Sequence, residues 1–280
     1  MREFTGSQAG DDAAVASRSR LPHADDMDSL LTTLKPKRRW MQISLRTLLV
    51  LFTALCVVLS LWVVPAERQR RAVETIRALG GNISYGKVPS ETFLGRWRQA
   101  YLEEVKIVDL DATPVTDAGL AHLLRGLTSL EGLVLTNTGV TDAGLAHVQG
   151  LTGLRVLGLY KTQVTDAGLR HVQGLTGLQT LRLDFTHVTD AGLHDLHGLT
   201  GLEMLTLNNT QVTDAGLAHL QGLTRLQDLQ LKNTQVTDAG LVHLQGLRSL
   251  RQLYLGGTQV TNAGVTRLRQ ALPNCQIAGP

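Results

Sequence analysis

The chain has 280 residues, a net charge of +3 and a pI of about 9.0, and only 4% of its residues are aromatic. So few aromatic side chains favour a core built from many small aliphatic contacts, as in repeat proteins. The excess of positive charge lies before residue 100, around one apolar segment, so it indicates membrane topology rather than nucleic-acid binding. Two cysteines, Cys56 and Cys275, are too few for a disulfide framework or a cysteine metal cluster.

Three segments of different composition precede the repeats. Residues 1–34 carry Gly, Ser, Asp and Ala without sustained periodicity, which is typical of a disordered tail. Residues 35–46 form a basic juxtamembrane segment with five cations and no acid. Residues 47–64 contain no charge, and as a helix they would span about 27 Å, close to the roughly 30 Å hydrocarbon core of a bilayer. The sequence therefore predicts one transmembrane helix at residues 47–64.

A buried core helix and a cleavable signal peptide are the alternatives for this segment. A core helix rarely lacks every polar break over such a length. The apolar part of a signal peptide usually has about 7–15 residues and follows a basic region close to the N-terminus, whereas here the basic region begins at Lys35. An uncleaved signal anchor is favoured. Five cations before the span and four soon after it give a small bias towards a cytoplasmic N-terminus, with the repeats on the outer side.

Residues 65–104 are predicted to hold a helix and the N-terminal capping region of the domain that follows. Apolar residues recur at three- and four-residue spacing up to Leu79, and Gly80 and Gly81 are expected to end the helix. Residues 82–85 are predicted to be extended.

A short motif repeats through residues 105–280, the predicted repeat domain with its C-terminal cap. VTDAG occurs six times and VTNAG once, at a spacing of 25 residues and then of 24 residues five times over. A fixed period of about 20–29 residues with regularly placed leucines indicates stacked supersecondary units. The motifs begin at Val115, Val140, Val164, Val188, Val212, Val236 and Val260.

Each unit is predicted to join one short strand to one short helix. Leu205 and Leu207 alternate as in a strand, Thr213 is a good helix N-cap, and Leu217 and Leu220 share one helix face. A single unit buries too little apolar surface to offset the cost of ordering its chain, whereas stacked units share continuous columns of leucine. The predicted fold is an α/β solenoid of about seven strands, parallel on a concave side, with short helices on a convex side.

Two polar columns are assigned structural roles. A threonine recurs at each turn from Thr113 to Thr258, and its hydroxyl is expected to bond the backbone of the neighbouring repeat. The aspartate of each VTDAG, such as Asp214, is expected to act as a favourable charge in the first helical turn. Asn262 takes its place in the last motif, which agrees with that interpretation.

The pattern LxxLxLxxTxVTDAGL resembles leucine-rich-repeat proteins of the ribonuclease-inhibitor-like type, especially bacterial ones with an N-terminal signal anchor. The anchor followed by AERQRRAVETIRALGG, and the closing VTRLRQALPNCQI, are also similar to those proteins, so the resemblance covers roughly residues 40–278. For function the resemblance implies protein–protein interaction and no more.

The histidines raise the alternative of a metal site or a proton relay. Five share a column on the helical side, where neighbouring helices lie about 10 Å apart, too far to share one metal ion easily. A second group, His187, His194 and His197, stays open as a weak metal candidate. The sequence contains no phosphate-binding loop or nucleophile motif, so neither a catalytic site nor a cofactor is predicted. The column consists of His122, His147, His171, His219 and His243.

Strand residues that point away from the core are predicted to form a partner-binding surface on the concave face. Tyr and Arg, which dominate interface energetics, recur among them. The alternative is that these positions vary without functional demand. The predicted binding residues are Val134, Val156, Tyr160, Arg182, Asp184, Phe185, Met204, Gln230, Lys232 and Tyr254.

The sequence thus predicts a non-catalytic binding module displayed from a membrane by one span. Its partner is expected to be a protein or an envelope polymer on the concave face, and not a nucleic acid. A structural, self-assembling scaffold of the cell envelope is the alternative function.

Overall fold

The computed structural model describes residues 44–58, 60, 64–86 and 104–279. The predicted tail at 1–34 and nearly all of the basic segment at 35–46 lie outside the described residues. So do residues 59 and 61–63 of the predicted transmembrane segment and residues 87–103 of the predicted capping region. The chain divides into two compact units, Met1–Ala54 and Leu55–Pro280.

Helix α1, Leu45–Val58, begins in the first unit and contains no charged residue after Arg46. Apolar side chains along it are exposed, Leu49 and Phe52 each to 63%. Among the helices of the described residues, none is both long enough and apolar enough to cross a membrane.

Helix α2, Val64–Ala78, forms where the sequence predicted a helix after the apolar segment. Its inner face buries Ala72 and Ile76. The helix ends at a left-handed glycine, Gly80 with φ 84°, and the amide of Gly81 donates to the carbonyl of Ile76 at 2.9 Å. Glycine adopts this conformation without the steric penalty that a side chain would bring, which is why it is common after helices.

The described strands form one nine-stranded sheet in chain order. Strand β1, Asn82–Tyr85, pairs antiparallel with β2, Val105–Asp109, and every later pair is parallel. The prediction of a parallel α/β solenoid is confirmed, but its count of about seven strands was too low. Strand β2 precedes the first VTDAG motif and β9 follows the last, so the described residues contain eight parallel strands.

The remaining elements alternate along the chain as one strand and one helical turn per repeat. They are α3 Asp117–Leu124, β3 Gly132–Val134, α4 Asp142–Leu145, β4 Val156–Gly158, α5 Asp166–Leu169, β5 Thr180–Arg182, α6 Asp190–His194, β6 Met204–Thr206, α7 Asp214–Leu217, a 3-10 turn at Ala218–Leu220, β7 Asp228–Gln230, a 3-10 turn at Gly240–Leu244, β8 Gln252–Tyr254, α8 Asn262–Ala271 and β9 Gln276–Ala278.

The core is one continuous stack of leucine and valine between the sheet and the helices. Leu181, Leu205 and Leu229 are paired in register across three strands, and all three are fully buried. Burying one such side chain stabilises the fold by about 2 kcal/mol, and each leucine needs its equivalents in the adjacent repeats to become buried. The repeats therefore stabilise one another.

The threonine column closes turns within repeats, which corrects the expectation that it joins neighbouring repeats. The hydroxyl of Thr210 donates to the carbonyl of Leu207, three residues earlier in the same repeat, at 2.7 Å. The same bond occurs at Thr162 and Thr186. Since the chain turns after the second leucine of each strand, that carbonyl faces the buried threonine rather than the next repeat.

The aspartate of VTDAG forms a bond between repeats that the sequence analysis missed. Asp190 accepts from the backbone amide of Thr213 at 2.8 Å and from its hydroxyl at 2.6 Å. The same hydroxyl accepts from the amide of Ala215 at 3.3 Å and so caps α7, as predicted for this threonine. The equivalent pairs are Asp117 with Thr141, Asp142 with Thr165, Asp166 with Thr189, Asp214 with Thr237, and Asp238 with Thr261.

The glycine of VTDAG makes room for this aspartate. A Cβ atom at Gly216 would overlap Oδ1 of Asp190, and one at Gly240 would overlap Oδ1 of Asp214. Each TDAG sequence after the first therefore caps its own helix through Thr, bonds the next repeat through Asp and leaves space for the preceding Asp through Gly.

Candidate functional site

The concave face is the sheet surface turned away from the helices, and three positions of each repeat point to it. In the repeat of β6 they are Met204, Thr206 and Asn208, which alternate with buried leucines. The parallel register places each position beside its equivalent in the next repeat, as Arg182 lies beside Thr206. Residues about 24 positions apart in the sequence thus form continuous rows across the sheet.

A groove of about 680 Å³ crosses this face. Its lining extends from the end of β2 to the end of β7, and it contains eight of the ten predicted binding residues. These are Val134, Tyr160, Arg182, Asp184, Phe185, Met204, Gln230 and Lys232. The structure adds seven polar residues that the sequence analysis did not select: Asp109, Asp111, Thr136, Thr206, Asn208, Asn209 and Asn233.

The other two predicted residues lie on the same face but outside the groove lining. Val156 is 36% exposed on β4. Tyr254 on β8 lies under the ammonium group of Lys232, with 4.8 Å between the Nζ atom and the ring centroid. This cation–π contact helps to position Lys232 at one end of the groove.

An aromatic pair lies in the middle of the groove. The rings of Tyr160 and Phe185 meet edge to face, with centroids 5.3 Å apart and an interplanar angle of 65°. The two residues come from successive repeats, and 44% of Phe185 is exposed. Edge-to-face pairs contribute about 0.5–1.5 kcal/mol beyond buried area, so the pair presents an ordered apolar surface.

Phe185 occupies a backbone conformation that suits a different residue. Its φ is 56°, and the equivalent positions of nearby repeats, Asn137, Asn209 and Asn233, have φ between 52° and 57°. Asparagine tolerates this left-handed region, whereas it costs most other L residues on the order of 1–2 kcal/mol. Lys161 shares the same strain with a φ of 58°. Strained residues of this kind are concentrated at functional sites.

Asp184 lies beneath the groove rather than on its surface. It is only 6% exposed, and its carboxylate accepts from the hydroxyl of Thr206 and from the backbone amide of Asn208, the latter at 3.0 Å. Asn208 in turn accepts from the amide of Lys232 at 2.8 Å and donates to the side chain of Gln230 at 3.0 Å. Asp184 thus orders the floor of the groove by joining successive repeats.

One carboxylate oxygen on this face is buried without a partner. Among the described residues, Oδ1 of Asp228 on β7 has no hydrogen-bond partner. Burial raises the pKa of Asp228 above its ordinary value of 3.8, and a hydrogen bond with Gln230 opposes that rise. The ionised form of Asp228 therefore destabilises the fold.

His194 and His219, on the helical turns of successive repeats, lie on the side opposite the groove. The ring of His194 lies 5.4 Å from that of His197 and 5.3 Å from that of His219, centroid to centroid. His187, which the sequence analysis grouped with His194 and His197, has no such ring contact with them. In the described part of the chain, no three His, Cys, Asp or Glu side chains are arranged to hold a metal ion.

The residues that sequence reasoning missed share a common signal. Thr206 and Asn208 occupy the same outward positions as Arg182 and Asp184 one repeat earlier, so the period alone places them on the face. They are small and polar, and threonine and asparagine are not the residue types that dominate interface energetics. A groove floor needs such residues to bond one another across the strands.

One family model matches part of the repeats. Residues 200–260 match the leucine rich repeat family, so over these residues the chain is similar to leucine-rich repeats. No curated protein matches the chain in sequence.

Solved structures similar to this chain include proteins from bacteria and plants. An internalin from Listeria monocytogenes is 27% identical, with 64% of this chain and 83% of that chain covered and a TM-score of 0.49. A leucine-rich-repeat protein from Leptospira interrogans is 23% identical, with 56% and 44% covered and a TM-score of 0.44. The ectodomain of a plant membrane receptor kinase from Arabidopsis thaliana, solved with Casparian strip integrity factor 2, is 16% identical, with 73% and 26% covered and a TM-score of 0.45.

Proposed function

We propose that the leucine-rich repeats form a non-catalytic protein-binding module whose partner docks on the concave face. One observation favours the concave face as the binding site. Phe185 is exposed in a left-handed conformation that asparagine occupies with less strain at the same position of neighbouring repeats. The core does not use its ring, so the strain has no compensation within the leucine stack. Contact with a partner supplies that compensation, because exposed aromatic residues in a groove are typical interface hot spots.

The groove around Phe185 supports the same proposal. Arg182 is exposed on the adjoining strand, and no ion pair with it occurs among the described residues. Tyr160 fixes the orientation of the Phe185 ring from the preceding repeat. An ordered aromatic pair beside an unpaired guanidinium can bind with little loss of side-chain entropy.

The proposal includes display of the module from a membrane by an uncleaved signal anchor. The uncharged run of residues 47–64, with cations on both sides, supports this part, as does the apolar exposed surface of α1. The slight excess of cations before the run supports a cytoplasmic N-terminus and repeats on the outer side.

The binding face can be tested by crosslinking in membranes. The full-length chain is compared with a concave-face variant, Arg182→Ala with Phe185→Asn, and with a helical-side variant, His171→Ala with His219→Ala. Proteins captured by crosslinking are quantified by mass spectrometry. We expect one defined partner with the unchanged chain and with the helical-side variant, and at least tenfold less of it with the concave-face variant, since each hot spot contributes about 2 kcal/mol.

Two other results would contradict this proposal. Loss of the partner with the helical-side variant and its retention with the concave-face variant would place the site on the opposite face. Crosslinks between copies of the chain, with no other partner, would favour the self-assembling scaffold.

The membrane topology has its own test. Spheroplasts that express the full-length chain are treated with protease and then extracted with alkaline carbonate. We expect the repeats to be digested from outside, and undigested chain to stay in the membrane pellet. Complete protection of residues 105–280 in intact spheroplasts would refute the outward orientation, and release by carbonate would refute the anchor.

A further inference from the structure

The groove carries opposite charges at its two ends. Asp109 and Asp111 stand at the end of β2, and Lys232 stands at the end of β7. Five inter-strand steps of about 4.8 Å separate these strands by about 24 Å. The screening length at physiological ionic strength is about 8 Å, so the two ends do not neutralise each other. Each end presents its own potential to a ligand.

The groups between the two ends are apolar, hydroxyl and amide side chains, with the guanidinium of Arg182 on β5, nearer to the basic end, and the buried carboxylate of Asp184 beneath them. Tyr160, Phe185 and Met204 line the middle of the groove. Towards the basic end, the amide of Asn233 donates to the side-chain oxygen of Asn209 at 2.9 Å. That bond uses the acceptor of Asn209 and the donor of Asn233, so a donor on Asn209 and an acceptor on Asn233 remain for a ligand. An extended polypeptide backbone presents the complementary carbonyl and amide groups.

We propose that the groove binds an extended peptide segment of about seven residues that runs across the strands, with a basic side chain at Asp109 and Asp111, an apolar side chain on Tyr160 and Phe185, and an acidic side chain at Lys232. The length follows from a rise of about 3.3 Å per residue over about 24 Å. This assignment rests on the proposed function, and it adds the chemistry and polarity of the bound segment.

The same charges disfavour the other polymers that could lie in such a groove. A polyanion, whether a nucleic acid or an acidic envelope polymer, would place negative charge against Asp109 and Asp111, and like charges in contact are repelled. A neutral polysaccharide would gain nothing from either charged end. Only a chain that changes the sign of its charge along its length pairs with both ends.

Selection of peptides on charge-reversed variants tests this assignment. Random twelve-residue peptides displayed on phage are selected on the full-length chain in lipid nanodiscs, on the double variant Asp109→Lys with Asp111→Lys, and on Lys232→Glu. The unchanged chain should enrich peptides with a basic and an acidic residue about five to seven positions apart and an apolar residue between them. The double variant should enrich peptides that are acidic at both positions, and Lys232→Glu peptides that are basic at both.

The size of each effect is measured as the affinity of one selected peptide, made synthetically, for the unchanged chain and for each variant. We expect each charge reversal to weaken its binding about fivefold, the factor that corresponds to roughly 1 kcal/mol. A peptide with the complementary charge should regain the lost affinity. Arg170→Glu, a reversal on the exposed helical side, should leave the affinity unchanged, and the circular dichroism of each variant shows that it is folded.

The outcomes separate this assignment from the proposed function. Absence of enrichment, or the same peptides enriched on all three chains, would overturn the peptide assignment. Binding of a neutral glucose hexamer that is lost in Phe185→Asn but unchanged by both charge reversals would overturn it in favour of a glycan. If either result occurred while crosslinked capture of a protein still depended on Phe185, the proposed function would stand and only the peptide assignment would fail.

Discussion

Replacing Asp190 with alanine should destabilise the protein more than its position in a surface turn suggests. The carboxylate accepts two bonds from Thr213, to the amide at 2.8 Å and to the hydroxyl at 2.6 Å, and both cross from one repeat to the next. A hydrogen bond to a charged group contributes about 1.5–3 kcal/mol, and water can replace part of it at this half-buried site. We therefore expect a loss of about 2–3 kcal/mol in the free energy of unfolding.

The last motif provides the matched control. Asn262 occupies the position of Asp190 in its repeat, at the start of α8, but no further VTDAG threonine follows it. Asn262→Ala should change the free energy of unfolding by no more than about 0.5 kcal/mol. Both variants of the full-length chain are measured by urea unfolding followed by circular dichroism. If Asp190→Ala lowered the free energy of unfolding by less than about 1 kcal/mol, the effect of a charge near a helix N-terminus would explain the whole loss. The bonds between repeats would then contribute nothing measurable.

A double mutant tests the same reasoning, because the effect of Gly216→Ala on stability should change sign when Asp190 is removed. Gly216→Ala alone should destabilise, because the new Cβ atom overlaps Oδ1 of Asp190. In the Asp190→Ala background that oxygen is gone, and the nearest atom to the new Cβ outside residue 190 is the end of the flexible Leu193 side chain at 3.0 Å. Alanine is better than glycine in a helix by about 1 kcal/mol, so Gly216→Ala should then stabilise. Destabilisation of equal size in both backgrounds would show that Asp190 is not the reason for the glycine.

Three further predictions concern single side chains. The hydrogen bonds from Thr261, with a smaller contribution from Arg267, hold the pKa of Asp238 below its ordinary value of 3.8. The stability they give is present above pH 3.8 and is lost as pH falls through the lowered pKa, so Asp238→Asn should reduce the loss of stability below pH 3.8 in unfolding experiments. The pKa of Asp228 is raised, so its effect on stability has the opposite pH dependence: the stabilising contribution is present below pH 3.8 and is lost as pH rises. Asp228→Asn should therefore raise the melting midpoint at pH 7. A lower midpoint would contradict the burial of an unpaired carboxylate oxygen. In urea unfolding, Phe185→Asn should raise the free energy of unfolding by at most about 1–2 kcal/mol or leave it unchanged, because asparagine relieves the left-handed strain; clear destabilisation would mean that the ring supports the fold.

The sequence by itself was enough to define the repeat architecture. A spacing of 24 residues and the alternation around Leu205 predicted one strand and one helix per unit, with the strands parallel and the leucines inside. Periodicity succeeds here because each leucine contacts its own equivalent in the next unit, so local pattern and global fold impose the same requirement. The count of parallel strands fell short because each of the seven motifs follows one strand, from β2 to β8, whereas β9 comes after the last motif.

The direction of side chains on the concave face also followed from the sequence. Strand alternation placed Tyr160, Arg182 and Lys232 on one face, and the structure gathers them in one groove. Alternation states only on which side of the sheet a side chain emerges. It could not show that Asp184 is covered, because that depends on Thr206 and Asn208 from the next strand, about 4.8 Å away.

The tertiary structure decided which hydrogen bonds hold the repeats together. Threonine and aspartate recur with the same period, so their spacing could not distinguish a bond within a repeat from a bond between repeats. The distances make that distinction: the hydroxyl of Thr210 reaches the carbonyl of Leu207 in its own turn, whereas Asp190 reaches Thr213 in the next repeat. Hydrogen bonds depend on separations of a few tenths of an ångström, and only the packed repeats fix separations at that scale.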